Sequence, residues 1–381
     1  MKTNKMAPSD KITVRTLHPI FSEKAIFFSV LLLAGLGIIM VYSASSGISL
    51  EKFNNNFHYL QKQALFCLIS FGVLLVTSSI SYKFLRPLAY VIFLTSVGLL
   101  TAVLIPSINI EAGGAHRWIS LGSITFQPAE FAKLALIIFL AYSLSKKQEM
   151  INDYSVGFLP HMFIYGLLVM LILIQPDFGS VIILGLITWG MMFIAGVPIL
   201  HLLSPVPFLI PLLYFSVYKV SYRMDRIFAF LDPWKDPFDT GYQITHSLKA
   251  FGSGGLFGKG LGLSIAKLHY LPEPHTDFIF SIIGEELGLI GVLSVFLLYS
   301  IILIRGAKIA RSADNVFGSM VAAGLTISLA LQVIINTGVA LGTLPTKGLT
   351  LPFLSYGGTS LLINMAAMGI LINIGASVRD E

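Results

Sequence analysis

Residues 271–304, LPEPHTDFIFSIIGEELGLIGVLSVFLLYSIILI, pass from a proline-punctuated polar segment into an apolar run long enough to cross a bilayer. About 20 apolar residues at 1.5 Å rise span the ~30 Å of hydrocarbon. Comparable runs lie at 25–44, 61–80, 84–105, 128–145, 158–175, 178–197, 199–219, 279–304, 317–341 and 353–376. The chain of 381 residues is 55% hydrophobic and 12% charged, with a mean hydropathy of +0.82, well outside the range of soluble domains. The expected fold is therefore an all-α polytopic membrane protein of about ten transmembrane helices. A cytoplasmic arm (1–24) precedes one membrane domain (25–376), and 377–381 form a cytoplasmic tail. Residues 220–280 form one large extracytoplasmic loop between the seventh and eighth spans.

Orientation follows from Lys and Arg in short connections, which resist translocation. Lys2, Lys5, Lys11, Arg15, Lys24, Lys83, Arg86, Lys146, Lys147, Arg305, Lys308, Arg311 and Arg379 fall on one side, against Lys52, Lys62, Arg117, Lys133 and Lys347 on the other. Both termini are expected inside and the large loop outside. The formal charge of +6 then reports topology and argues against nucleic acid as a partner. YSASSG (42–47) superficially resembles a signal-peptidase site, but nine further spans follow it, and the first span reads as an uncleaved anchor. Cys67, the single cysteine, excludes a disulfide and a cysteine-based metal site.

Ionisable groups are costly in hydrocarbon, so their positions discriminate among functions. They gather at the outer ends of the spans. In GGAHRWISLGSITFQPAEFAK (113–133), Gly113 and Gly114 permit a bend, Arg117 and Trp118 offer a charge and an interfacial ring, and Pro128 suits the first turn of a helix. Glu130 and Lys133 share a face at i, i+3. They either pair structurally or meet substrate. Asp177 in QPDFGS (175–180) is expected to cap the next helix. In the loop, Arg223 and Arg226 are suited to a pyrophosphate or to lipid headgroups. FGSGGLFGKGLG (251–262) fails the phosphate-loop pattern, since Ser253 stands where Gly is needed and Gly260 follows Lys259. Its six glycines read as a close-packed or mobile turn, with Lys259 a candidate contact. Thr276 and Asp277 are positioned to cap the eighth span, and Glu285 and Glu286 follow within it. LPTKGLTLPFLSYGGTS (344–360) breaks helix geometry, and with Gln332, Asn336 and Asn364 suggests a polar cavity opening outward. His275 and Ser355 complete the candidate substrate contacts.

HRWISLGSITFQPAEFAKLA, QPDFGS, DPWKDPFDTGYQ, LPEPHTDFIFSIIGEELG and KGLTLPFLSYGGTS, in this order, resemble the SEDS family (shape, elongation, division and sporulation), the FtsW/RodA/SpoVE group of cell-wall glycan polymerases. The resemblance spans about residues 25–376, and two motifs are worded more like FtsW and SpoVE than RodA. Pro274 departs from a common family Ala. The resemblance implies a bacterial cytoplasmic-membrane enzyme that polymerises lipid II, a disaccharide-pentapeptide on undecaprenyl pyrophosphate, into a growing glycan strand. It also implies an essential acid at Asp277, a contribution from Trp118, and a class B penicillin-binding protein transpeptidase as partner among other divisome or elongasome proteins.

On that reading Asp277 is the catalytic general base, and Arg223, Arg226, Lys133 and Lys259 are candidates to stabilise the departing pyrophosphate. No cofactor is evident. A divalent cation could share the task, though the sequence shows no dedicated cage and no metal ligands are assigned. The rival expectations are a lipid II flippase and a non-catalytic scaffold. Transporters commonly carry repeated halves and midplane sites, and neither is visible here.

Overall fold

The computed structural model describes residues 23–378, apart from 113–114, 123, 208–210, 212–213, 215–223, 225–227 and 269–270. The helices are α1 (Lys24–Phe53), α2 (His58–Ser79), α3 (Leu85–Ala102), α4 (Pro128–Lys146), α5 (Leu159–Ile174), α6 (Phe178–Ala195), α7 (Ile199–Leu203), α8 (Tyr242–Gly254), α9 (Ile279–Ser312), α10 (Val316–Ala340) and α11 (Gly358–Ser377). Among the described residues, nine helical stretches are long and apolar enough to cross a membrane. The expected seventh span, 199–219, lies only partly within the described residues, and the Gly113–Gly114 bend and both Arg223 and Arg226 lie outside them.

Local chemistry sets the helix ends. Pro128 opens α4 at its first turn, where its missing N–H costs nothing. Asp177 caps α6 as expected, its carboxylate accepting from the Ser180 N–H at 3.1 Å and the Ser180 hydroxyl at 2.7 Å. Asn54 ends α1 in the left-handed region, φ 51°, which Asn tolerates better than most residues.

One region departs from the all-helical expectation. Between α3 and α4 the chain forms an antiparallel meander, β1 (Asn109–Ala112), β2 (Ala115–Leu121) and β3 (Ile124–Phe126), in the order β1-β2-β3. Ile110 pairs with Trp118, and Ile119 with Phe126. The run AHRWISLGSITF is too polar to span and is rich in β-branched and aromatic residues, which suit a half-buried pleat.

The centre of the bundle is α4, α10 and α11, with 83%, 67% and 94% of their apolar windows buried inside the protein, whereas α2 and α3 bury only 17% and 22% and face outward. At one end, Arg305 on α9 makes an ion pair at 2.8 Å with Glu23, before α1. Ser43 on α1, which meets Glu286 of α9, lies twenty residues from Glu23, or ~30 Å of helix. These two polar levels are one hydrocarbon thickness apart.

At the Glu286 level α9 breaks at Gly288, φ 64° and ψ −162°. The backbone groups freed by the break bond to the glycine-rich segment. Lys259 and Gly260 N–H donate to the Glu285 and Glu286 carbonyls (2.9 and 3.0 Å), and Leu289 and Ile290 N–H donate to Gly255 and Leu256 (2.9 and 3.2 Å). Only glycine fits: a Cβ on Gly254 would stand 2.0 Å from the Gly284 carbonyl oxygen, and one on Gly288 2.3 Å from the Gly258 nitrogen. FGSGGLFGKGLG is therefore the close-packed turn. The later part of 220–280 is built into the bundle rather than looping free of it, since α8 also packs on α9 through a Ser247–Ser281 hydroxyl contact of 2.6 Å.

Lys267 closes this arrangement by pairing with Glu286 at 2.9 Å, their side chains 11% and 0% exposed. Removing one partner of a buried pair costs about 3 kcal/mol or more. Lys267→Met should lower the unfolding midpoint of the detergent-solubilised protein markedly. Lys267→Met combined with Glu286→Gln should recover much of the loss; equal midpoints for wild type and the single variant would show that the pair contributes nothing.

Candidate functional site

The site is assembled from two irregular segments at the end of the bundle away from Arg305. The first, 271–278, leads into α9. Phe278 takes the cap position without a side-chain capping bond, and the Thr276 hydroxyl donates to Glu273 O at 3.1 Å. The expected Thr276/Asp277 cap is thus displaced: Asp277 stands one residue before the cap position, partly exposed. Helix φ/ψ begin too late for Asp277 to be the cap residue.

The second segment, 341–357, dips into the bundle between α10 and α11. Leu351–Ser355 is buried; the Pro352 carbonyl accepts from the Tyr299 hydroxyl, and Phe353 is held at φ 68°. Irregular backbone at this depth survives only where protein encloses it, and a non-glycine residue in the left-handed region is strain that the surroundings must hold.

Two hydrogen bonds join the two segments directly, and Asn336 bridges them. Ser355 Oγ donates to Thr276 O at 2.6 Å and accepts from Leu351 N at 2.8 Å. Tyr356 N donates to His275 O at 2.8 Å. Asn336 of α10 donates to both sides, to Asp277 O at 3.1 Å and Leu349 O at 2.5 Å. The Asp277 carboxylate consequently faces Gly348, where an added Cβ would lie 3.2 Å from Oδ2. Ser355 is the clasp between the segments. His275 is 4% exposed, packed against Tyr59 and Tyr356 with ring centroids 4.6 and 5.6 Å away. Burial pushes its imidazole pKa down, against the pull of Glu273.

Beside Gly348 stands Lys347, a cation that reading for topology alone passed over. Burial lowers its amine pKa, and the Asp177 carboxylate opposes that shift. Its place in KGLTLPFLSYGG, a motif already singled out for its broken geometry, was the available signal.

Below Asp277 a polar ladder descends α10 at four-residue spacing, Asn336, Gln332 and Ser328. Gln332 accepts from Lys133 at 3.4 Å and donates to Ser328. Lys133 pairs with Glu130 at 2.8 Å, both side chains buried. With Asn364 they line a cavity of about 20 Å³, room for one water, beside Glu130 Oε2, which has no hydrogen-bond partner among the described residues. The expected cavity is met only in part: Gln332 and Asn364 line this small space with Leu134, Ile137 and Met368, whereas Asn336 stands outside it on the backbone of the two segments.

The remaining candidates lie apart. Arg117 bonds the carbonyls of Gln175 (3.3 Å) and Pro176 (2.5 Å), tying β2 to the turn before α6; Trp118 faces the other side of the strand. Lys259 pairs with Glu285 at 2.7 Å, eight residues along the chain from Asp277. Glu285 also accepts from Ser264 Oγ and from the Ile265 and Ala266 N–H groups, so its acceptor positions are occupied within the protein. Among the described residues there is no cluster of three or more His, Cys, Asp or Glu that could hold a metal ion.

A polytopic helical bundle with two irregular segments meeting at one end is the architecture of the SEDS-type membrane proteins. The chain belongs to the FtsW/RodA/SpoVE family: that family, described as "Cell cycle protein", matches residues 23–380. A relative named "Probable peptidoglycan glycosyltransferase FtsW" from Geobacter sulfurreducens is 45% identical over 343 residues, covering 90% of this chain and 92% of the relative. "Stage V sporulation protein E" of Bacillus subtilis is 43% identical over 351 residues, covering 92% and 95%. Among solved structures, one reported under "Structural coordination of polymerization and crosslinking by a peptidoglycan synthase complex" superposes with a TM-score of 0.77 at 28% identity, over 94% of this chain and 99% of that one. The Thermus thermophilus rod shape determining protein RodA superposes with a TM-score of 0.67 at 27% identity, over 93% and 97%.

Ser355→Ala removes both bonds of the clasp and leaves the Thr276 carbonyl short of a partner. We expect faster amide exchange confined to 273–278 and 349–357 and a global loss of about 1–2 kcal/mol. Unchanged exchange in both segments would show that they are held independently.

Proposed function

We propose that this chain is a peptidoglycan glycosyltransferase that polymerises lipid II into glycan strands at the outer face of the bacterial cytoplasmic membrane. The observation that carries the reading is the Asp277 carboxylate, held by its own backbone against Gly348 at the membrane face that the loop charges assign to the outside. Family membership and the names of the relatives support it.

In the reaction, the growing strand is the donor and its MurNAc C1 bears undecaprenyl pyrophosphate. The GlcNAc 4-hydroxyl of an incoming lipid II attacks C1, Asp277 accepts the hydroxyl proton, and the C1–oxygen bond to pyrophosphate breaks with inversion. A positioned general base contributes about 10²–10⁴-fold. Lys347, one residue from the glycine that faces Asp277, is well placed to meet negative charge growing on the leaving pyrophosphate. Trp118 offers a face for a sugar ring. A divalent cation at this site would draw on Asp277, substrate phosphates and water, the usual ligand set for magnesium.

The partner fitting this reading is a class B penicillin-binding protein, in keeping with the synthase complex that the fold resembles.

Purified protein with its cognate transpeptidase should convert lipid II to long glycan strands, and Asp277→Asn should reduce the rate at least about 100-fold. Gly348→Ala, which crowds Asp277 Oδ2, should cut the rate about tenfold while leaving complex formation intact. Normal strand synthesis by Asp277→Asn would overturn the assignment.

A further inference from the structure

At the Arg305 end, a crevice of about 450 Å³ opens between α3, α4 and α5. Its walls are apolar: Tyr90, Phe139, Leu159, Phe163 and Ile164. Tyr90, Leu159 and Phe163 are 55%, 53% and 72% exposed, so the mouth faces the surrounding membrane rather than water. The polar groups at its inner edge are satisfied internally, Ser143 by His161 Nε2 at 2.9 Å and His161 Nδ1 by the Gly157 carbonyl at 2.8 Å. The crevice offers hydrocarbon contact along its length and no hydrogen-bonding demand at its floor.

Cations ring its outer end. Lys147 lines the crevice itself. Lys146 lies over the Tyr142 ring, 5.9 Å from the centroid. Arg86 precedes Tyr90 by four residues and so shares its face of α3. Among the described residues none of the three has a carboxylate within ion-pair distance. Glu149, the nearest acid in sequence to the two lysines, is exposed and makes no ion pair among the described residues. Burial and the neighbouring Lys146 lower the Lys147 amine pKa, the opposite of what a paired carboxylate would do. Preference for the helix C-terminal dipole explains lysines at the end of α4; it does not explain why one of them borders an apolar crevice open to lipid.

We propose that this crevice binds an anionic phospholipid from the leaflet at the Arg305 end, one acyl chain lying along Tyr90, Phe139, Phe163 and Ile164 and the phosphate meeting Lys147 and Arg86. Basic pockets between transmembrane helices recognise anionic headgroups in this way. A zwitterionic headgroup would bring a second cation toward Arg86, Lys146 and Lys147 with no carboxylate paired there to receive it. A free phosphate compound would gain the lysines and forgo the crevice. The bound lipid would brace α3 and α5 against α4, the helix whose other end carries Glu130 and Lys133. The site lies a membrane thickness from Asp277, so this inference is independent of the glycosyltransferase reading.

The test is native mass spectrometry of the intact detergent-purified chain, titrated with a phosphatidylglycerol or the phosphatidylcholine of the same acyl chains. Wild type should retain the phosphatidylglycerol at least about fivefold more tightly, each basic contact near a membrane surface being worth about that factor. Arg86→Gln with Lys147→Gln should erase the preference, while Lys308→Gln with Arg311→Gln, at the same end but away from the crevice, should keep it. Ile164→Trp, which fills the crevice, should weaken both lipids. The proposal is overturned if wild type shows no preference, if the preference survives Arg86→Gln/Lys147→Gln or falls equally in the Lys308/Arg311 control, or if Ile164→Trp leaves lipid retention unchanged. Equal competition by glycerol 3-phosphate would likewise overturn it, showing a phosphate site without a lipid.

Discussion

Glu285 and Glu286 are 2% and 0% exposed on the longest helix of the bundle, and two adjacent buried carboxylates can persist only if both are paired and hydrogen-bonded. Their partners come from distant sequence: Lys259, Lys267 and Ser264 from the segment before α9, and Ser43 from α1. Satisfying these two charges therefore forces residues 253–267 against α9. The break at Gly288 depends on the same contact, because the carbonyls and N–H groups that it frees would otherwise be unpaired inside the protein.

That constraint propagates toward the site. With α9 pinned at the Glu285 level, its first two turns stand clear of the break and pack on α8 and α10, and Asp277 is delivered at a fixed height beside the second re-entrant segment. Asn336 then reads both backbones at once, bonding Asp277 O and Leu349 O. The carboxylate is positioned through main-chain bonds to its own segment. Positioning of this kind fixes the segment's height and direction without drawing on the carboxylate oxygens.

The small sheet and the turn before α6 form the other wall. Thr359 at the start of α11 accepts from Gln127 N and donates to Thr125 O, both at 3.2 Å, so the sheet is tied to the helix that follows the site's second segment. Arg117 spans from the sheet to the Pro176 turn. Structural ties and candidate substrate contacts thus coincide in the same residues, which is why sequence reasoning could give either role to Arg117, Glu130 and Lys259 with equal economy.

Apolar length alone determined the membrane bundle, because hydrocarbon admits few alternatives to a helix whose backbone bonds are internal. Pro128 and Asp177 were legible as helix starts because capping is local chemistry. The resemblance of five motifs singled out Asp277. What only the tertiary structure decided was which charges meet: Lys267 with Glu286, Lys259 with Glu285, and Lys347 beside Asp277's glycine. These pairings join residues about 20 to 70 positions apart, and no periodicity records them. The three-stranded meander and the inward course of 351–355 were hidden for a related reason: each is stabilised by the protein around it rather than by its own sequence.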